Sequence, residues 1–155
     1  MIKIKNIFKS FGEKEVLKDI SFSINKGECI SIIGESGIGK SVLLKSIIKL
    51  IDIDRGSIFI DGEDISLIKF KELQKLRSKF GMVFQFGALF DSMTVEENIG
   101  LALQKLSNSD KLEIDNKIRE SLEQVNMENT NNKMPSELSG GMKKRVGIAR
   151  AIALN

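Results

Sequence analysis

Eight consecutive residues carry the densest chemistry in this sequence: Gly34, Glu35, Ser36, Gly37, Ile38, Gly39, Lys40 and Ser41. They meet the pattern G-x-x-x-x-G-K-[ST], and each key residue has a reason for its place. Gly34, Gly37 and Gly39 let the backbone curl so that successive N–H groups point inward and collect phosphate oxygens. A helix starting behind the loop adds the positive end of its dipole. Lys40 is a point charge able to reach the outer phosphates, and Ser41 offers a hydroxyl to Mg²⁺. The spacing therefore predicts a cradle for a nucleoside triphosphate and its metal.

Three further features have weaker chemistry of their own. Ser139, Gly140 and Gly141 open a predicted helix, which is again an arrangement of free N–H groups suited to an anion. Taken alone it reads equally well as an ordinary N-cap followed by flexible glycines. Gln85 closes an apolar run and, by itself, is a surface amide at a strand end. Phe11 lies in a turn, where a phenyl ring commonly forms a core edge.

The elements that must position these residues follow from periodicity. Alternation predicts strands over Met1–Phe8 and Val16–Ile24, with a turn at Phe11–Lys14. Ile20, Phe22 and Ile24 share one face of the second strand. Cys29–Ile33 is a short apolar run expected to be a strand buried on both faces, feeding directly into Gly34. Cys29, the single cysteine, is expected to be a small buried hydrophobe. A helix is expected over Lys40–Leu50, with Leu43, Leu44, Ile47 and Ile48 as its apolar face. Gly56–Ile60 reads as a strand ending in a hairpin turn at Asp61-Gly62. Lys69–Lys79 reads as a charged helix and Phe80–Phe84 as a strand. Thr94–Leu106 reads as a helix whose Thr94 and Glu97 form a capping box. After a break at Asn108-Ser109-Asp110, Lys111–Val125 is amphipathic through Leu112, Ile118, Leu122 and Val125. Asn126–Pro135 is a polar loop, and Ser139–Ala153 is the last helix.

Bulk composition limits the alternatives. The chain has 155 residues, 41% of them hydrophobic and 29% charged, which suits one globular domain. A net charge of +3 is too mild to argue for nucleic acid, and Lys143, Lys144 and Arg145 read as a solvated helix face. There is no histidine, so imidazole ligands and bases are excluded. No apolar run approaches the roughly 20 residues that span a bilayer. With no signal-like N-terminus, the expectation is a cytosolic protein that reaches a membrane only through a partner.

Together, the loop, Gln85 in Val83-Phe84-Gln85 and Leu138-Ser139-Gly140-Gly141-Met142 resemble the ABC-type ATPases in order and spacing. Leu138–Met142 is similar to that family's signature motif, with Met in the last place. The resemblance implies an α/β fold. This is a P-loop NTPase with a RecA-like core, an N-terminal antiparallel β-subdomain and a helical subdomain, incomplete at the C-terminus. It implies a β-subdomain and core over about 1–85, a helical subdomain over about 86–138 and a signature helix over 139–155. ATP and Mg²⁺ are the implied cofactors. Phe11 would stack on adenine, Val16 would join the nucleotide-binding set, and Gln85 would touch Mg²⁺ or the attacking water. Ser139–Gly141 would close over the phosphate held by a second nucleotide-binding subunit, head to tail. An integral membrane permease would dock around Phe86–Asn98, and no nucleic acid is expected, since Lys40 to Ser139 is a compact span.

Two runs, Phe84–Val95 and Met134–Met142, resemble the ATPase subunits of Mla-type phospholipid transporters. The implied place is cytoplasmic, peripheral on the inner face of a bacterial inner membrane. An amino-acid-type importer and a non-hydrolysing remnant remain as alternatives. In the family, the strand after Asn155 carries the Walker B aspartate and the catalytic glutamate, followed by a switch histidine. From that, the isolated chain is expected to hydrolyse ATP negligibly and to be poorly stable, with an unpaired apolar edge.

Overall fold

The computed structural model describes residues 1–85, 87–106 and 110–154. Phe86, Asn108, Ser109 and Asn155, named above, lie outside the described residues. The chain divides into two compact units, Met1–Arg77 and Ser78–Asn155.

In the first unit, β1 (Ile2–Phe11), β2 (Lys14–Ile24), β3 (Arg55–Ile60) and β4 (Glu63–Asp64) form an antiparallel sheet in the order β2-β1-β3-β4. Its buried face is set by Ile4, Ile7, Ile58 and Ile60. Ile4 and Ile7 are three apart, which strict alternation forbids. A bulge at Asn6, φ +44°, supplies the missing phase. The bulge is sealed by side chains: Asn6 Nδ2 donates to Asp19 Oδ1 at 2.7 Å, and Asn6 N donates to Ser21 Oγ at 2.8 Å. Opposite it stands Gly56, φ +98°, where a Cβ would lie 2.3 Å from Asn6 O. Only glycine fits there. The turn Asp61-Gly62 has positive φ at both residues, 51° and 91°, as a two-residue hairpin requires.

Helix α1 (Lys40–Ile47) buries Leu43 and Ile47 and packs against β2. It is shorter than the expected Lys40–Leu50, because Lys49 takes φ +53° and ends it. Leu44 is exposed rather than on the buried face. Arg77, the last residue of α2 (Phe70–Arg77), donates to the end carbonyls Ile48 O and Lys49 O.

The second unit is built on α3 (Val95–Leu106), α4 (Lys111–Glu123) and α5 (Gly140–Ile152), each packed on the other two. Their core includes Val95, Ile99, Leu103, Ile118, Leu122 and Val146. The capping box at α3 forms as read: Thr94 N donates to Glu97 Oε2 at 2.8 Å and Glu97 N to Thr94 Oγ1 at 3.2 Å. Asp110, at the predicted break, caps α4 by accepting from Glu113 N at 2.9 Å. Leu112 is not on the buried face of α4; it is 70% exposed. The buried stripe is Ile114, Ile118 and Leu122, spaced by four, and Leu112 falls half a turn out of phase with it.

Two expected strands take another form. Neither 29–33 nor 80–84 joins a ladder among the described residues. A parallel strand buried on both faces draws its backbone partners from strands on either side. Among the described residues neither run has such a partner. Cys29 and Ile33 are accordingly exposed, which overturns the reading of Cys29 as buried.

Candidate functional site: a phosphate cradle and a clamped loop

The loop Gly34–Gly39 enters α1 through Gly39, φ +112°, with no side chain capping the helix. Gly37 also has positive φ, 81°. A Cβ on Gly39 would lie 2.7 Å from Val16 Cγ1 and 3.1 Å from Val16 O. The loop is thereby pressed onto β2, and the uncapped start of α1 faces outward. Lys40 folds back over the loop, and its Nζ donates to Gly34 O at 2.7 Å and Glu35 O at 2.6 Å. A cleft of about 640 Å³ opens here, with Val16, Leu17, Gly37, Gly39 and Lys40 among its lining residues. Glu35, Ser36 and Ile38 share that lining; Gly34 and Ser41 adjoin it in sequence. Ile32 and Ile33 line it too, although two isoleucines in an apolar run carry no sign of a ligand cleft.

Val16 is thus brought to the cradle. Phe11 is not among the cleft's lining residues; its ring is half exposed at the end of β1, with Lys9 Nζ 5.4 Å from its centre. A Mg²⁺ ion fits this donor set: it takes one or two protein ligands plus phosphate oxygens, and Ser41 can be one. Among the described residues no cluster of three acidic or thiol side chains forms a cage.

In the second unit, Gln85 is exposed at the start of a turn closed by Gly87 N donating to Phe84 O at 2.9 Å. Gln85 lines a cleft of about 380 Å³ with Phe84, Ala88, Leu89, Asp91, Pro135 and Lys143. The segment after it is held from two helices. From α3, fully buried Asn98 accepts from Phe90 N at 2.7 Å, and its amide donates to Phe90 O, Met93 O and Thr94 O at 2.9–3.1 Å. From α5, Arg150 donates to Gly87 O at 2.7 Å and Ala88 O at 2.8 Å. Burial lowers the Arg150 pKa from its ordinary value, yet a guanidinium starts so high that it stays charged.

Neither anchor was legible as functional. Asn98 entered the sequence reading only as the end of the stretch Phe86–Asn98, and the partners of Arg150 lie more than sixty residues away. Arg145, read as part of a solvated cluster, donates to Asn126 O at 3.2 Å.

Ser139 caps α5, its hydroxyl accepting from Met142 N at 3.3 Å. Gly140 and Gly141 are exposed, have no positive φ, and leave their Cβ positions nearly open. Neither backbone strain nor packing inside the chain explains two glycines here.

These two units define the P-loop NTPase fold of the ABC ATPases: an antiparallel β-sheet beside a phosphate-loop core, and a helical subdomain. The ABC transporter family model matches residues 17–155, and the chain belongs to that family. A dimeric ATP-binding cassette solved in a post-hydrolysis state with ADP and Pi superimposes with TM-score 0.92 at 36% identity. That match covers 100% of this chain and 70% of the other. Among curated relatives, the chloroplastic protein Trigalactosyldiacylglycerol 3 of Arabidopsis thaliana is 43% identical over 98% of this chain and 44% of its own length. The probable ribonucleotide transport ATP-binding protein mkl of Mycobacterium leprae is 43% identical over 99% of this chain and 44% of its own. The methionine import ATP-binding protein MetN of Clostridioides difficile is 43% identical over 100% of this chain and 48% of its own. The chain thus spans about half the length of the curated relatives it matches.

Proposed function

We propose that this chain is the nucleotide-binding portion of a transporter ATPase, taking ATP with Mg²⁺ at Gly34–Ser41. The observation that carries the reading is Lys40. Its ammonium spans two carbonyls of its own loop, in front of a helix start that no side chain caps. A bound triphosphate gives both the ammonium and the free N–H groups an anionic partner. In this reading Ser41 holds Mg²⁺, which neutralises phosphate charge; for Gln85 the role at the metal or the water rests on the family resemblance alone. Val16 supports the nucleoside, and Phe11 would stack on adenine by turning over the cleft.

The open glycines support the partner. Gly140 and Gly141 leave room for something outside the chain to approach α5 closely. A head-to-tail second subunit, presenting its nucleotide there, is the occupant we propose. ATP hydrolysis by the whole protein, and docking of an integral membrane permease near 86–98, belong to the same proposal. So does a cytoplasmic place on the inner face of a bacterial inner membrane. Among the described residues no helix is long and apolar enough to cross a membrane.

The relatives' names specify ribonucleotide transport and methionine import as well as a galactolipid protein, at the same identity. They favour a general transport ATPase, amino-acid-type importers included. Phospholipid cargo is a second reading, favoured by the runs Phe84–Val95 and Met134–Met142.

Lys40→Ala tests the central reading. Loss of a charge-assisted contact of about 1.5–3 kcal/mol weakens binding of a fluorescent ATP analogue by at least about tenfold. Equal affinity in the variant would overturn it. Affinity purification from membranes tests the partner, with recovery of ribosomal components alone counting against a transporter.

A further inference from the structure

The segment 87–94 has a turn bond of its own, Met93 N to Phe90 O at 3.1 Å, but among the described residues its start has no such support within the segment. It joins no ladder, and Gly87 and Ala88 both take positive φ, 78° and 46°. For alanine that conformation is strained. What fixes Gly87 and Ala88 is α5. Gly87 is seated so closely that a Cβ there would lie 2.6 Å from Lys143 O, and a Cβ on Gly147 would lie 3.2 Å from Gly87 Cα. The carbonyls of Gly87 and Ala88 then both accept from one planar guanidinium. Two parallel donations from a single rigid fork fix orientation as well as distance, which a lysine cannot do.

We propose that Arg150 is a positioning residue that makes the segment after Gln85 and helix α5 one rigid lever. The proposal rests on the transporter-ATPase reading for its use. Helix α5 carries Ser139–Gly141 at its first turn and Arg150 at its last, about 16 Å away at 1.5 Å per residue. Phe90, 53% exposed, stands on the clamped segment. Force applied to Phe90 by a docked permease passes through the Gly87–Gly147 contact and the guanidinium to the start of α5, instead of being absorbed by a slack loop. Asn98 closes the far end of the segment, so slack introduced at Arg150 frees the Gln85 end first.

Amide hydrogen exchange tests the clamp, with Arg150→Met, Arg150→Lys and, as control on the same helix, Arg145→Met. The protected amides to follow are Gly87, bonded to Phe84 O, and Phe90, bonded to the Asn98 side chain. In Arg150→Met the Gly87 amide exchanges at least tenfold faster, Phe90 changes less, and the α5 amides 143–149 keep their protection. Arg150→Lys recovers only part of the loss, and Arg145→Met leaves Gly87 unchanged. Unchanged Gly87 exchange in Arg150→Met overturns the proposal, as does equal acceleration across all three helices. Failure of the wild type to bind ATP would sink the ATPase reading alone, because the exchange contrast still decides the clamp.

Discussion

Single residues set the shape of both candidate sites. Gly39 combines φ +112° with contact to Val16, so an added methyl meets both strain and a clash. Gly39→Ala is expected to cost about 1–3 kcal/mol in urea unfolding, with ATP affinity falling as the loop lifts from β2. Asn98 is the counterpart in the second unit. Asn98→Ala leaves Phe90 N and Met93 O, both part-buried, without the Asn98 amide, while Phe90 O keeps its bond from Met93 N. At about 1–3 kcal/mol for an abandoned buried polar group, two part-buried groups are expected to cost about 2 kcal/mol, readable as a lowered denaturation midpoint. The glycines and Lys40 were legible because their chemistry lies within eight neighbouring residues. Asn98 and Arg150 were not, because a hydrogen bond spanning eight or sixty-odd residues leaves no periodic trace.

At the scale of elements, local signals were legible and long-range pairing was not. Thr94 and Glu97 announce the start of α3, and Asp61-Gly62 announces its hairpin, because caps and turns are decided by neighbours in sequence. The runs 29–33 and 80–84 look like strands from composition alone, but a ladder needs a partner, and composition does not supply one. Leu112 shows the same limit in a helix, where a single residue of the right type fell outside the phase set by Ile114, Ile118 and Leu122. The sheet offers a test of its own. Asp54 ties β1 to the start of β3, accepting from Lys9 Nζ at 2.7 Å and Ser10 N at 2.6 Å. The Lys9 hydrogen bond, then that from Ser10, lowers its pKa below 3.8. A depressed carboxylate stabilises the fold above its unfolded pKa and loses that contribution as pH falls through the folded value. Asp54→Asn is therefore expected to lower the melting temperature at pH 6, with the gap to wild type closing below about pH 3.8.

For the whole molecule, the cleft at Gly34–Ser41 lies entirely in the unit Met1–Arg77, so nucleotide is expected to stabilise that unit first. At a free concentration 100 times Kd, ATP adds about 2.7 kcal/mol of stability, and the melting temperature rises with ATP concentration. Lys40→Ala, with a Kd about tenfold higher, cuts that contribution to about 1.4 kcal/mol or less at the same ATP concentration, while leaving the ligand-free melt near wild type, because Lys40 Nζ bonds to exposed loop carbonyls. A ligand-free melt lowered by more than a few degrees would instead assign Lys40 to folding.

The exposed thiol of Cys29 has a practical meaning. It is the single cysteine of the chain, five residues ahead of Gly34. On this 155-residue chain a maleimide dye would attach at one defined place, five residues ahead of the phosphate loop. The same accessibility lets two chains join through a disulfide in air, so dimers counted without reductant would mix a covalent artefact with any pairing driven by nucleotide.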